Sequence, residues 1–329
     1  MVNQTRYGII SDVHKDPRIV STAIDVLKSL GAEKLLINGD IGNHQKTLED
    51  SQSYIALILD SVGKSGLESW VQPGSHESLL AYSPVIDYFS KEYGNIIDAT
   101  KNRKLEENGH HLVFLPGSDF LCGGEYQIGN HQIPSGKYIQ TEKGLMQFEE
   151  FEQYIGALQS GLAQGAMQYA NINDLRKLVT APEKTIVICH VPRKFEGLET
   201  CVDMAEFGEA MEDFELQGEK VKKGSVYPIQ IAPQIVQAGY PVQLKRKNRG
   251  NEDLKTLYEE LGIRKSVTGH FHESSHRAND RNGNHVNEGE LVNELFWNSG
   301  YLDAGHTGIL TVDEEKASYQ NVRLQEYLK

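Results

Sequence analysis

Five short segments of this 329-residue chain carry side chains of the types that can bind metal ions, and each follows a predicted β-strand. They are Asp12-Val13-His14, Gly39-Asp40, Gly74-Ser75-His76-Glu77, His190 and Gly269-His270-Phe271-His272. Each segment alone is weak evidence, because a buried histidine is more often a hydrogen-bonded core residue than a ligand. Their shared position at the carboxyl ends of strands indicates that they converge on one site.

The residue types in these segments suit divalent cations. Carboxylate oxygens and neutral imidazole nitrogens are ligands for Mn²⁺, Fe²⁺ and Zn²⁺. The side chains of Asp12 and His14 can converge on one ion if the backbone turns at the strand end, and a carboxylate between two ions can bridge them. Two ions about 3.5–4 Å apart clamp a phosphoryl oxygen and generate a hydroxide nucleophile from water. The adjacent glycines allow the backbone to turn where a Cβ would obstruct it.

The pattern around these segments predicts strands that alternate with helices. Residues 6–12, 34–40 and 68–77 indicate strands, and residues 18–31 and 48–66 indicate the helices between them. This β-α-β-α-β order predicts a parallel sheet with right-handed crossovers. Such sheets bind ligands in the loops at the carboxyl ends of their strands, where the five segments lie.

The rest of the chain is less regular. Further strands are predicted at 110–119, 184–192 and 264–272, a helix at 252–262, a largely helical stretch at 142–180, and antiparallel strands from 294 onward. Residues of about 196–250 mix charge, glycine and short apolar runs, which predicts an insertion or cap beside the site. No convincing linker divides the chain, so residues 1–329 are predicted to form a single domain.

The five segments and their order resemble the calcineurin-like metallophosphoesterases. The pattern of that family is D-x-H, then GD, then GNH followed by Asp or Glu, then a lone His, then GHxH. Here the motifs span residues 12–272, and the stretch 296–311 resembles the closing strands of the family. The resemblance implies an α/β fold, a layered α-β-β-α sandwich of mixed, largely parallel sheets flanked by helices.

The resemblance also implies a role for each matching residue. Asp12, His14 and His272 would hold the first metal, Asp40 would bridge both, and His190 and His270 would hold the second. His76 would lie beside the leaving-group oxygen as the catalytic acid, with Glu77 orienting its imidazole. The implied cofactors are two divalent metal ions, with Mn²⁺, Fe²⁺ and Zn²⁺ as the expected species.

One residue departs from the family pattern. Ser75 stands where the family has an asparagine whose amide oxygen helps to bind the second metal. A hydroxyl is shorter and a weaker ligand, so the second metal is expected to be bound weakly by Ser75, to take a water instead, or to recruit another side chain. Asn43 and His44 are candidates for that replacement, and a solvated loop is their alternative. A natural or engineered reduction of activity is a further possibility.

Outside the motifs, Arg193 is a candidate for substrate binding, because a guanidinium holds two phosphate oxygens at once. A solvated basic pair with Lys194 is the alternative. Cys189 precedes His190 on one strand and is expected to point to the opposite face. The remaining histidines are interpreted as surface or structural residues: His110, His111, His131, His276, His285 and His306.

The composition favours a soluble globular protein, with 39% hydrophobic and 24% charged residues. The net charge of −13 disfavours a nucleic acid partner, whose binding requires a basic surface. The basic run 245–249 is either a local contact strip or a solvated loop. Cys122, Cys189 and Cys201 form no C-x-x-C pair, which predicts a reducing, cytoplasmic location. No apolar run suits a signal peptide or a membrane span, so no membrane partner is expected.

These observations predict an enzyme that hydrolyses a phosphomonoester or phosphodiester through a metal-bridging hydroxide, with an unidentified substrate. The protein Ser/Thr phosphatases are disfavoured, because their GD segment continues through Asp-Arg-Gly, whereas Asp40 is followed by Ile-Gly-Asn. Two alternatives remain open. One is a nuclease of the same superfamily, and the other is a scaffold of this fold with weakened catalysis, which only Ser75 favours.

Overall fold

The structure is a computed structural model that describes residues 4–42, 47–77, 79–118, 126–129, 136–141, 144–162 and 165–328. Four residues discussed above, Asn43, His44, Cys122 and His131, lie outside the described residues.

The first of two six-stranded sheets contains the strands that precede the first three motifs. In spatial order it consists of β21 (Lys316–Arg323), β20 (His306–Asp313), β1 (Thr5–Ile10), β2 (Lys34–Asn38), β3 (Glu68–Gln72) and β4 (Ile96–Asp98). Strands β1 to β4 are parallel, and β20 and β21 are antiparallel additions beside β1. The connecting helices α1 (Ile19–Ser29), α2 (Leu48–Lys64) and α3 (Leu79–Tyr93) contribute to an apolar cluster on one face of this sheet.

The second six-stranded sheet contains the strands that precede the last two motifs. It consists, in spatial order, of β18 (Ala278–Asn279), β19 (Leu295–Asn298), β17 (Lys265–Thr268), β11 (Thr185–Cys189), β6 (His110–Leu115) and β5 (Lys104–Glu107). The four central strands are parallel, and β18 and β5 are antiparallel edges. Helices α5 (Leu175–Leu178) and α7 (Glu252–Leu261) pack on the outer face of this sheet.

Smaller sheets complete the fold. One consists of β7 (Tyr126–Gly129), β10 (Gly165–Asn171), β8 (Gly136–Thr141) and β9 (Gly144–Phe148), with α4 (Phe151–Gln159) beside it. A second consists of β15 (Val226–Pro228), β12 (Met204–Ala210) and β16 (Val242–Asn248), with α6 (Ala232–Gln237) beside it. In the third, β13 (Phe214–Leu216) pairs with β14 (Glu219–Val221). We call the sheet β15-β12-β16 the cap sheet, because its residues come from the predicted insertion 196–250.

The core lies between the two large sheets. Their facing side chains form one buried cluster, in which the rings of Trp70 and Phe114 stack with centroids 4.9 Å apart. Alternate residues of the same strands face the helices instead, as Ile9 and Ile10 show by belonging to different clusters. Burial on both faces explains why central strands such as β2 and β11 are largely apolar. The predicted α-β-β-α architecture is therefore confirmed.

The local signals of the predicted helices are present in the structure. The Thr47 side chain accepts a hydrogen bond from the amide of Asp50 at the start of α2, at 3.1 Å. Helix α7 ends at Gly262, whose φ of 71° is the left-handed conformation that glycine adopts freely. The helical prediction for 142–180 is wrong in part, because β9 and β10 pair with β8 there. No helix within the described ranges combines the length and apolar character needed to cross a membrane.

Candidate metal centre

The carboxyl ends of five strands bring the five motifs together. Asp12, Asp40 and the 74–77 loop follow β1, β2 and β3 of the first sheet, whereas His190 and the 269–272 loop follow β11 and β17 of the second. The amide of Asp12 donates to the carbonyl of Gly39 at 3.2 Å, and the amide of Val13 donates to the carbonyl of Asp40 at 2.7 Å. These bonds hold the first two loops in register.

The backbone at the site is strained in the way that the motifs require. Asp12, Asp40 and His270 have φ values of 56°, 51° and 69°, in the left-handed region that non-glycine residues rarely adopt. A Cβ on Gly74 would collide with the Asp40 carboxylate, and one on Gly269 would collide with that of Asp12. Glycine at these two positions therefore allows both carboxylates to point into the site.

Carboxylates and imidazoles approach one another at distances that suit shared coordination. His190 Nε2 lies 3.1 Å from Asp40 Oδ2, and His272 Nε2 lies 3.2 Å from Asp12 Oδ1. His14 Nε2 lies 3.8 Å from Asp40 Oδ2. Three groups have ligand atoms that all lie within 4.8 Å of one another: Asp12, His14 and His272; His14, Asp40 and His76; and Asp40, His190 and His270.

These groups match the expected division of the site. The first contains the three residues assigned to one metal, and the third contains the three assigned to the other. Asp40 shares one group with His190 and His270 and another with His14, which also belongs to the first group, so its carboxylate is near ligands assigned to both metals. The structure thus brings the predicted ligand side chains together, and their coordination of metal remains a prediction.

The imidazole of His190 provides the clearest test of whether these residues fit a cation. Its Nδ1 lies 2.9 Å from the carbonyl oxygen of Asn38, so Nδ1 carries a proton and donates it there. Its Nε2 faces two carboxylate oxygens, 3.1 Å away on Asp40 and 3.8 Å away on Asp12. Two buried carboxylates repel each other unless positive charge lies beside them, and at Nε2 that charge is either a second proton or a bound cation. The side chains therefore fit a positively charged occupant.

Burial and mutual interaction shift the pKa values of the carboxyl and imidazole groups of the site. Burial opposes ionisation of Asp12 and Asp40, but the nearby histidines, His190 foremost, together outweigh it, and the pKa of each carboxyl group falls below its usual value. Burial, followed by the neighbouring His190, lowers the pKa of His270 to about 3. Burial also disfavours the imidazolium of His190, but the Asp40 and Asp12 carboxylates outweigh it and raise its pKa to about 10. A cation would take the place of that proton.

Ser75 contacts the bridging carboxylate. Its hydroxyl lies 3.0 Å from Asp40 Oδ2 and 3.1 Å from Oδ1, and its amide donates to Oδ1 at 2.5 Å. The amide of His76 donates to the same oxygen at 3.0 Å. Ser75 therefore holds Asp40 in place, and its predicted role as a metal ligand stays a prediction.

Glu77 contacts the backbone of the site. Its two carboxylate oxygens accept hydrogen bonds from the amides of Gly42 and Gly74, each at 2.6 Å. Burial, together with the charge of Asp40, raises the pKa of Glu77 to about 7. Both oxygens thus tie two motif loops together, and the expected orienting of the His76 imidazole by Glu77 stays a prediction.

The prediction that Arg193 binds substrate at the rim is contradicted by its burial. Its side chain is 4% exposed, and its guanidinium lies 4.4 Å from the ring centroid of Phe195 and 5.1 Å from that of Phe296. Its Nη2 donates to the carbonyl of Arg281 at 3.3 Å. The strand β11 ends beside the apolar cluster that contains both rings, so the side chain turns inward there.

Three residues that support the site were missed at the level of sequence. Asn38 accepts from His190 through its carbonyl, and its amide group donates to the carbonyls of Cys189 and Val267 at 3.2 and 3.3 Å. Gln72 donates to Asn38 Oδ1 at 2.6 Å. Asp303 accepts from the amides of His14 and Lys15 at 3.0–3.1 Å. An amide side chain that ends an otherwise apolar strand was the available signal for Asn38 and Gln72.

A cavity of about 610 Å³ opens beside the metal-binding residues. Motif residues that line it are His14, His76, His270, Phe271 and His272. The cap sheet and its loops line it through Ala205, Glu206, Phe207, Val226, Pro228, Ile229, Gln230 and Arg249, and the remaining lining residues are Lys15, Glu273, Tyr301 and Asp303. The ring of Tyr301 stacks on His272, with centroids 4.0 Å apart. The segment predicted as a cap thus lines a cavity shared with the motif histidines.

No protein-family model matches this sequence, and comparison with curated proteins finds no match. Several solved structures are similar over nearly the whole chain, and two of them illustrate the likeness. The protein TT1561 of Thermus thermophilus shares 10% identity over 98% of this chain and 100% of that chain, with a TM-score of 0.49. A dimetal phosphatase from Danio rerio shares 9% identity over 97% of this chain and 99% of that chain, with a TM-score of 0.47. Neither likeness bears on what this chain binds, and the case for a metal site rests on its own geometry.

Proposed function

We propose that this protein is a dinuclear metal-dependent phosphoesterase that hydrolyses a phosphomonoester or phosphodiester. The observation that carries the proposal is the convergence of buried His190 Nε2 on the carboxylates of Asp40 and Asp12, at 3.1 and 3.8 Å, within groups of side chains that could hold a metal ion. The proposed ligands are Asp12, His14 and His272 for one cation, His190 and His270 for the other, and Asp40 for both. The donor set of oxygen and imidazole nitrogen suits Mn²⁺, Fe²⁺ or Zn²⁺.

When bound, two such cations neutralise phosphoryl charge and activate water for attack. The side chains of the protein orient the reacting groups and provide a proton for the leaving group. His76 lines the cavity with its Nε2 3.9 Å from Asp40 Oδ2, so its imidazole stands between the metal-binding residues and the space for a leaving group. In the proposed reaction His76 stabilises or protonates the departing alkoxide oxygen.

The position of Asp40 depends on its neighbours. Its carboxylate accepts hydrogen bonds from the amides of Ser75 and His76 and from the Ser75 hydroxyl. Because these donors fix the orientation of the carboxylate, little reorganisation is needed when cations bind. This arrangement supports an enzyme over a scaffold of the same fold with weakened catalysis.

The nuclease alternative receives little support from the basic run 245–249. Lys245 pairs with Glu209 at 2.8 Å, Arg246 pairs with Glu199 at 2.8 Å, and Lys247 approaches Glu209 at 3.7 Å. Charges that are neutralised within the protein contribute little to binding a phosphate backbone. We therefore favour a small phosphoester over a nucleic acid.

The proposed location is the cytoplasm. Cys189 and Cys201 are both buried thiols that form no disulfide within the described residues, and such thiols suit a reducing compartment. Compartment fractionation of the native cells, followed by immunodetection, tests this proposal.

Metal content and hydrolysis measured together test the function. We expect the Mn²⁺-loaded protein to bind two ions per chain and to hydrolyse p-nitrophenyl phosphate or its bis-ester. Asp40→Asn should lose both properties, because the carboxylate serves both cations. Asp16→Asn is the matched control, since this half-exposed carboxylate lies four residues after Asp12 and pairs with Arg18. A protein that binds no metal, or an Asp40→Asn variant with full activity, would refute the proposal.

A further inference from the structure

The cavity beside the metal-binding residues has two walls of different character. One wall carries the motif histidines His14, His76, His270 and His272. The facing part belongs to the cap sheet and its loops, and it includes Val226, Pro228 and Ile229. Val226 is 45% exposed, although a valine on a β-strand is usually covered. An apolar surface of this kind in a cavity of about 610 Å³ suits the organic part of a small ligand.

The cap also places a cation in this cavity. The guanidinium of Arg249 lies 4.7 Å from the ring centroid of Phe207, and both residues line the cavity. Within the described chain no carboxylate pairs with Arg249, whereas Lys245, Arg246 and Lys247 are each held by glutamates. Arg249 is thus the member of the basic run whose charge is available to a ligand, and Lys15 adds a second positive charge to the lining.

Two of the three acidic residues in the same lining, Asp303 and Glu206, contact protein donors, and Glu273 is the third. The Asp303 carboxylate accepts hydrogen bonds from the amides of His14 and Lys15. Glu206 lies 3.7 Å from the guanidinium of Arg246. Two of the negative charges around the cavity are therefore directed at protein donors, and the guanidinium of Arg249 meets an anion without direct competition from them.

We propose that the cap selects the substrate: a small phosphoester with an apolar, ring-sized alcohol, whose alcohol lies on Val226 and Ile229 and whose phosphoryl oxygens contact Arg249. This inference rests on the proposed function, because the metal-binding residues must hold the phosphoryl group. Arg249 takes the substrate-binding role that the sequence suggested for Arg193. An apolar alcohol group covers the side chains of Val226 and Ile229 and removes them from water, which favours its binding; inorganic phosphate would leave these side chains in contact with water.

Binding of two unreactive phosphonates to the Mn²⁺-loaded protein tests the proposal. Phenylphosphonate and methylphosphonate share the anionic head and differ only in the apolar group. The difference between their affinities in isothermal titration therefore measures the contribution of the apolar residues Val226 and Ile229. We expect phenylphosphonate to bind about tenfold more tightly, since burying part of a phenyl ring contributes roughly one decade in affinity. Equal affinities would overturn the proposal, whereas a protein that binds neither metal nor phosphonate would overturn the proposed function with it.

Three variants assign the two contributions to their residues. Val226→Ser combined with Ile229→Ser should reduce the preference for the phenyl group and leave methylphosphonate binding unchanged. Arg249→Gln should weaken both phosphonates about tenfold and leave their ratio unchanged. Lys247→Gln removes the same charge two residues earlier in the basic run and should change neither affinity. If Arg249→Gln lowers only the melting temperature, the guanidinium packs on Phe207 for stability alone and its assignment to substrate is wrong.

Discussion

The hydroxyl of Ser75 lies 3.0 Å from Oδ2 of Asp40 and 3.1 Å from its Oδ1. Ser75 therefore binds the carboxylate that is proposed to bridge two cations, and it does so from the position where the resembled family has an amide. The hydroxyl orients Asp40, whereas an asparagine would present a ligand oxygen of its own to the second cation. The two cations are thus expected to differ in affinity.

Replacing Ser75 with asparagine is expected to tighten the weaker of two Mn²⁺ sites. The longer side chain brings an amide oxygen to the second cation, and a gain of roughly tenfold corresponds to about 1.4 kcal/mol. Isothermal titration with Mn²⁺ measures both sites. Ser75→Ala is the control, since it removes the hydroxyl without adding a ligand and should weaken binding. Unchanged titrations for both variants would show that water or a neighbouring residue already fills the position.

Chelation of the metal is expected to lower the melting temperature. Asp12, Asp40 and Glu77 are buried within one site, and their mutual repulsion is relieved by bound cations. Ligand at a hundredfold excess over its Kd stabilises the folded state by about 3 kcal/mol. Differential scanning fluorimetry with EDTA, and then with excess Mn²⁺, measures the loss and its recovery. The same melting temperature in both conditions would contradict a metal centre at these carboxylates.

Asp303 is expected to position the first metal without binding it. Its carboxylate holds the amides of His14 and Lys15, and so fixes the turn that follows Asp12. Residues that orient a ligand typically change metal affinity by roughly 10–100-fold when they are replaced. Asp303→Ala should therefore weaken the tighter Mn²⁺ site, which His14 is proposed to bind, by about tenfold. Asp303→Asn, which keeps one acceptor oxygen, should weaken it less. Equal affinities in wild type and Asp303→Ala would remove this role.

The parts of the fold that were predictable are those specified by local pattern. Apolar runs that end in glycine and a polar ligand identified β1, β2 and β11, because strands buried on both faces must be apolar. The pairing of β9 with β8 was not predictable, since residues 144–148 become a strand only through a partner distant in sequence. Local pattern cannot contain that information.

The candidate site shows the same division. The ligand residues Asp12, Asp40 and His270 are recognisable because chemistry fixes their type and spacing. Arg193 was misassigned because sequence places it three residues after His190 but does not show the direction of its side chain. The sequence does not single out Arg249 within the basic run. Only the three-dimensional structure shows that Lys245 and Lys247 pair with a glutamate, whereas no carboxylate of the described residues pairs with Arg249.

Arg193→Leu is expected to change stability and to leave catalysis almost unaffected. The guanidinium packs against Phe195 and Phe296, so its removal leaves a gap in the apolar cluster and should lower the free energy of unfolding by about 1–3 kcal/mol. Urea denaturation measures this loss, and steady-state kinetics on p-nitrophenyl phosphate should give an unchanged KM. A large rise in KM at full stability would restore Arg193 as a substrate-binding residue.

His110 is expected to make the fold sensitive to acid at a place remote from the metal site. Its Nε2 lies 2.7 Å from the hydroxyl of Tyr7 inside the sandwich, and burial, opposed in part by Glu107, lowers its pKa to about 4. The unfolded chain, with a histidine pKa of about 6.5, binds the proton more readily, so stability falls as the pH drops from about 6.5 to about 4. His110→Gln cannot take up this proton and should lose less stability over that window. Urea midpoints at pH 7 and pH 5 measure the difference, and identical shifts in both proteins would show that other groups govern the acid limb.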